Sequence, residues 1–308
     1  MKRSLKDYAF VTLKGIGMGA ADVVPGVSGG TIAFITGIYE ELIDTLKSID
    51  LSLIQTLKND GIKGAWNAIN GNFLVALFLG IGISILSLAK IISHTLATYP
   101  VLIWSFFFGL IIASAIVIAG KIKSWNVGSV ISLIVGAVIA YYITVVAPAE
   151  TPNATWFVFI SGMIAICAMI LPGISGSFIL LLMGKYKYVL EAISNFDIKV
   201  IVTFAAGCVV GLLTFSHVLS WMFKKYHDLT VALLTGFMIG SLNKVWPWKE
   251  TISFRTNSHG EQVPFIQENI SPFNYDGEHF LVGAIVLCVV GIVLVLGLEK
   301  LGKHNQSI

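Results

Sequence analysis

Two stretches of this chain put helix breakers where a hydrophobic run should hold none. Residues 25–30 read Pro-Gly-Val-Ser-Gly-Gly and residues 172–177 read Pro-Gly-Ile-Ser-Gly-Ser, each inside a long apolar segment. The likeness continues at the same spacing, pairing Gly37 with Gly184, Tyr39 with Tyr186 and Asp44 with Glu191. Proline and glycine at such places leave backbone N–H and C=O groups without helical partners. Lipid tolerates that only where the backbone is enclosed by protein or lines a wet cavity. Matching breaks in two halves of a chain are the pattern of a transporter's binding site.

Composition sets the class. Of 308 residues, 56% are hydrophobic and only 12% charged, with a mean hydropathy of +0.85; this is an integral membrane protein. A net charge of +3 carries no nucleic-acid signature. Cys167, Cys208 and Cys288 lie in apolar runs without metal-ligand spacing, and the histidines (His94, His217, His227, His259, His279, His304) are scattered. No P-loop or dinucleotide fingerprint occurs. The sequence therefore implies no cofactor and no metal. The start Met1-Lys-Arg before an apolar run has the look of a signal peptide, but Lys14 and Asp22 interrupt the run and the repeat begins within it, so cleavage is not expected.

Taken in order, residues 8–39 form an apolar segment broken at Pro25, with arms of about 15 residues, short of the roughly 20 that cross a bilayer as helix. A re-entrant helical hairpin fits. Residues 40–70 carry apolar side chains at helical spacing among charges, an amphipathic surface helix with Trp66 as an interface anchor. Spans are expected at 73–92, 101–120 and 127–146, and a polar loop near residue 150 divides the chain. The second half, 151–308, repeats the plan: a hairpin over 156–184, then spans at 200–222, 229–246 and 279–298. Residues 247–278 read as a polar, partly irregular extramembrane loop. Gly80, Tyr99, Gly109 and Ser114 match Gly207, Tyr226, Gly236 and Ser241, and Gly128 and Gly136 match Gly283 and Gly291.

The fold class expected is an all-α integral membrane protein of two repeats, 1–150 and 151–308. A hairpin contributes no crossing and three spans contribute an odd number, so the second repeat must enter from the opposite face, inverted relative to the first. Lys2, Arg3, Lys6, Lys47, Lys58, Lys63, Lys121, Lys123, Lys224, Lys225, Lys300 and Lys303 then share one side, with Lys185, Lys187 and Lys199 as exceptions. The positive-inside rule places both termini in the cytoplasm of a multi-pass protein in the cell membrane.

Beyond each break a half-helix begins with unpartnered N–H groups and partial positive charge. Gly26, Gly29 and Gly30 let an oxyanion approach the backbone, and Ser28 and Thr31 add hydroxyls; the mirrored set is Gly173, Ser175, Gly176 and Ser177, with Pro25 and Pro172 as the breaks. Phosphate, carboxylate and chloride all suit such donors, and close packing through small residues is the competing explanation. Asp22 precedes the first break, near the end of its arm, where the dipole disfavours an anion; it is a proton carrier, a gate partner or a capped residue at the cavity edge. Met169 takes its place in the second half. Lys14, on the same arm, either faces the cavity or snorkels; Lys90 and His217, at matching positions near the ends of matching spans, either receive a phosphate headgroup at each membrane face or snorkel.

The run Gly17-Met-Gly-Ala-Ala-Asp-Val-Val-Pro-Gly-Val-Ser-Gly-Gly-Thr with Gly37-Ile-Tyr, and Leu171-Pro-Gly-Ile-Ser-Gly-Ser with Gly184-Lys-Tyr, resemble the polyprenyl-phosphate transporter family of bacteria and archaea over nearly the whole chain. The resemblance implies a flippase that returns undecaprenyl phosphate from the outer to the cytoplasmic leaflet, recycling the lipid carrier of cell-wall glycan synthesis. It points to Asp22, Pro25, Gly26, Ser28, Gly29, Gly30 and Thr31, and to Pro172, Gly173, Ser175, Gly176 and Ser177. Its partners are the lipid phosphate and the bilayer. Undecaprenyl-diphosphate phosphatases also carry a Pro-Gly-x-Ser motif in a broken membrane helix, but there it continues with Arg, where this chain has Gly29 and Gly176. Phosphoryl transfer needs concentrated positive charge, so an enzyme is the weaker expectation. A small-anion transporter or channel is a further alternative.

Overall fold

The computed structural model describes residues 3–24, 27–50, 52–149, 151–256 and 262–306. The first hairpin consists of α1 (Leu5–Val23) and the two-turn α2 (Gly29–Ile35), followed by α3 (Tyr39–Lys47) and α4 (Ser52–Ala68). Then come α5 (Gly71–Thr98), α6 (Pro100–Ala119) and α7 (Val127–Val145). The second hairpin is α8 (Thr155–Ile170) with α9 (Gly176–Leu182), followed by α10 (Tyr186–Ser194), α11 (Ile198–Lys225) and α12 (His227–Ser241). Strands β1 (Lys249–Thr256) and β2 (Gln262–Asn269) precede α13 (Leu281–Gln306). Among the described residues five helices, α5, α6, α7, α11 and α13, are long and apolar enough to cross a membrane.

The element boundaries repeat. Helices α9 and α10 have the lengths of α2 and α3, and α11 has the 28 residues of α5. Both half-helices stop the same way: Gly37 and Gly184 take left-handed φ values of 73° and 63°, and the next residue's N–H reaches back five residues, Ile38 to Ala33 and Lys185 to Leu180. This is a glycine-terminated helix end whose conformation costs a side chain dearly. Tyr99 and Tyr226 sit at matching corners with almost the same dihedrals (−130°, 58° and −135°, 50°).

The matched glycines are where helices touch. Helix α1 lies on α5, with Gly15 against Leu77 and Gly80 against Thr12; α8 lies on α11, with Gly162 against Phe204 and Gly207 against Phe159. The remaining pairs cross between halves: Gly109 of α6 meets Cys288 of α13, and Gly136 of α7 meets Leu233 of α12 while Gly236 meets Leu133. In each case an added Cβ would run into a backbone carbonyl oxygen. Where the surroundings are as apolar as the side chains, close backbone approach through small residues is what holds helices together.

Two ends of the bundle can be told apart by their contacts. One carries Arg3, whose guanidinium grips both Glu41 carboxylate oxygens at 2.5 Å, along with the α11–α12 corner. The other carries the Tyr99–Phe280 ring contact, the Thr144–Asn243 bond and the bond from Ala149 N–H to the Leu182 carbonyl.

Several expectations need correction. The span expected over 229–246 ends at Ser241, and residues 242–248 form a tight turn instead. Residues 247–278 are not merely irregular: within an otherwise helical membrane protein they hold an antiparallel β-hairpin with a register shift near Ser253. Alternation of Ile252 and Phe254 with polar residues suits a strand. The stretch 40–70 is two helices, not one. Leu42, Ile43 and Leu46 of α3 are buried against the protein, whereas α4 buries nothing and kinks at Gly61.

Candidate functional site

The two breaks meet. Pro25 and Gly26 lie outside the described residues, but Ser28, which follows them, is buried and caps α2 by accepting from the Gly30 N–H at 3.1 Å. Its own proton points to the end of α8, with the Met169 carbonyl at 3.2 Å and the Leu171 carbonyl at 3.1 Å. Those are carbonyls that the second break strips of helical partners, so one serine serves both interrupted helices. In return the Gly173 N–H donates to the Thr31 hydroxyl at 2.9 Å. Gly30 admits no side chain because the Ile170 carbonyl lies against it.

Asp22 sits in the last turn of α1, where that helix's dipole disfavours an anion, but it has a second helix end beside it. Its carboxylate meets the start of α2, where Oδ1 accepts from the Gly29 N–H at 2.7 Å and the partial charge of the helix is positive. An added Cβ on Gly29 would come within 2.6 Å of this carboxylate. Of the donors expected to hold an anion at the first break, Gly29 is thus occupied by Asp22 and Gly30 by Ser28.

The second break is arranged differently. Met169 takes the place of Asp22 and touches the Gly176 position with its Cβ instead of an acceptor. Ser175 forms no cap; its hydroxyl lies 2.9 Å from that of Ser177, and either can donate. Gly173, with φ +83°, fits under Ser241 and Phe237 of α12. Among the described residues, no acceptor is bound to the Gly176 or Ser177 N–H.

The remaining candidates stay apart from the breaks. Lys14 donates to the Thr36 carbonyl at 2.8 Å, closing the end of α2. His217 turns to the Leu213 carbonyl at 2.8 Å on its own helix, and Lys90 is exposed. Lys185, an exception to the lysine asymmetry, is buried and bonds the Thr151 carbonyl and Asn153. Two lysines that sequence reasoning passed over lie over buried rings: the Lys244 Nζ is 4.4 Å from the ring centre of Phe178 in α9, and the Lys249 Nζ is 3.7 Å from that of Trp104 in α6. The clue was a lysine on either side of Trp246-Pro-Trp248, hidden by reading the helix through residue 246. Among the described residues no cluster of metal-ligating side chains occurs.

The family described as undecaprenyl phosphate translocase-like matches residues 18–263, which include both breaks and the turn after α12. The chain belongs to this family. It is 52% identical over 299 residues to a polyprenyl-phosphate transporter of Vibrio cholerae, covering 96% of this chain and 97% of that one. It is also 32% identical over 253 residues to a polyprenyl-phosphate transporter of Staphylococcus aureus, covering 76% and 85%. No solved structure matches the chain.

Proposed function

We propose that the chain is a translocase that carries polyprenyl phosphate across the cell membrane by alternating access, with both termini cytoplasmic and residues 1–150 and 151–308 acting as inverted repeats. The observation that carries this reading is the bonding of two helix breaks from opposite halves, Ser28 to Met169 and Leu171, and Gly173 to Thr31. In this reading the hairpins are re-entrant and meet near mid-membrane. A phosphate cannot cross bare hydrocarbon, because desolvating an ion costs many kcal/mol. Fixed hydroxyl and N–H donors at the breaks replace water, while the isoprenoid tail stays in lipid. The phosphate falls to Gly173, Ser175, Gly176 and Ser177 first, since the first-break donors are engaged within the protein.

Alternation is supported by an unequal pair of contacts. Helix α3 docks on the end of α11: Ser220 donates to Asp44 at 2.6 Å, Lys224 lies 3.4 Å from Asp44, and Phe223 packs on Tyr39. Its counterpart α10 instead packs against α11 of its own half. The reading is that the Arg3 end is shut in this conformation and the other end is not latched. In the opposite conformation Glu191 meets Ser93 as Asp44 now meets Ser220, since these are the matching positions.

The test uses purified protein in liposomes with undecaprenyl phosphate in both leaflets and an impermeant reagent that reports lipid phosphate outside. Rapid exposure of the inner pool without release of inorganic phosphate from the diphosphate supports the reading. Phosphate release places the chain among the phosphatases, and no exposure under any pH gradient overturns transport of this lipid. An Asp44→Cys, Ser220→Cys pair, once cross-linked, stops exchange, and reduction restores it.

A further inference from the structure

The turn after α12 is held unusually firmly for a segment without regular structure. Asn269 of β2 donates to both the Asn243 carbonyl and its side chain, at 2.8 and 2.9 Å. Trp246 donates to the Ile270 carbonyl at 2.9 Å and Trp248 to the His279 carbonyl at 3.0 Å. The β-hairpin thereby straps the turn down and aims two lysines inward. The Lys249 ammonium donates to the Lys244 carbonyl at 2.6 Å and lies over Trp104. The Lys244 ammonium lies over Phe178, the residue after Ser177. Both rings are buried.

No carboxylate pairs with either lysine among the described residues. The loop's own acids do not help: Glu250 and Glu268 face each other in the strand register and are exposed. Aromatic faces offset part of the cost of enclosing a cation but leave its charge uncompensated. Burial, and after it the charge of Lys244, hold the Lys249 ammonium well below the ordinary lysine range. Two ammoniums enclosed against aromatic rings without a carboxylate are a poor structural device, and replacing such groups often stabilises a protein.

We infer that Lys244 and Lys249 form a phosphate-monoester site that receives the headgroup at the β-hairpin end and passes it to Ser175 and Ser177. The inference rests on the transport reading above and adds the step before it. A dianion between the ammoniums cancels their repulsion and gains charge-assisted bonds. On the proposed orientation this end faces the outer leaflet, where the lipid phosphate enters.

The experiment titrates the intact purified chain with geranylgeranyl phosphate and, separately, inorganic phosphate, by calorimetry. Lys244→Gln and Lys249→Gln each weaken binding of the lipid phosphate by about tenfold, the order expected for one lost charge-assisted bond, while thermal stability holds or rises. Lys→Arg at either position restores most of the affinity. A merely structural pair gives the reverse, lower stability with unchanged affinity, and overturns the inference. Comparable affinity for inorganic phosphate identifies a free-phosphate site; binding of the lipid alone identifies the headgroup. If the Gln variants do not fold, the wild-type chain still decides: bound lipid phosphate protects Lys244 and Lys249 from reductive methylation, read by mass spectrometry, and absence of protection overturns the site. If the intact chain binds neither probe, the transport reading falls as well. If it binds and the variants bind equally, only the lysine site falls.

Discussion

The two hairpins have one design and opposite states of satisfaction. In the first, Asp22 accepts from Gly29 and Ser28 from Gly30, so the start of α2 is closed by the chain itself. In the second, Met169 stands where Asp22 does, Ser175 caps nothing and bonds only Ser177, and Lys244 approaches from the side. A carboxylate already occupies in one half the place that a foreign anion would take in the other. The two half-helices differ at Asp22 and Met169, at Gly30 and Ser177, and at Thr31 and Phe178; the first is latched within the protein, and the second is where we propose the ligand binds.

The largest effect comes from making the first hairpin resemble the second. Position 30 is Gly and its counterpart is Ser177. Gly30→Ser drives a Cβ into the Ile170 carbonyl and forces the hairpins apart. We expect little folded protein, measured by size-exclusion chromatography in detergent. Ser177→Gly leaves yield intact. Gly82→Ala, with open space around it, is the control that should change nothing.

Next in size is the serine pair. Ser28→Ala strands the Gly30 N–H and the Met169 and Leu171 carbonyls, and each buried group left unsatisfied costs about 1–3 kcal/mol. Its melting temperature in detergent should fall clearly, whereas Ser175→Ala should melt near the wild type and bind lipid phosphate more weakly. If both serines behave alike in melting and in binding, the contrast between the hairpins is wrong.

The skeleton of this contrast was legible in the chain. The spacing of Pro25 and Pro172, of Gly37 and Gly184, and of Gly80 and Gly207 marks elements because breaks, helix ends and close crossings each demand particular residues. What sequence could not supply is what one half does to the other. Asp22 lies late in one helix and beside the start of the next, so a dipole argument confined to its own helix was right about α1 and missed the second helix end. Lys244 was lost because hydropathy continues through Trp246 while the helix stops at Ser241. Apolar character tracks burial, and a buried turn is as apolar as a helix. The β-hairpin escaped because its strands carry charges on an exposed face, which reads as loop.

The smallest change in stability bears most on mechanism. Asn caps a helix start about as well as Asp, so Asp22→Asn should still accept from Gly29 and shift melting by only about a few tenths of a kcal/mol, within the spread of good capping residues. What it removes is a charge that can be lost on protonation. If the lipid phosphate competes with the Asp22 carboxylate for the start of α2, protonation frees that place. Wild-type exchange in liposomes should then rise as pH falls through the range in which Asp22 gains its proton, and the Asn variant should be flat over the same range. A variant that keeps the full pH response would reduce Asp22 to a cap, and the difference between the hairpins would then be one of structure alone.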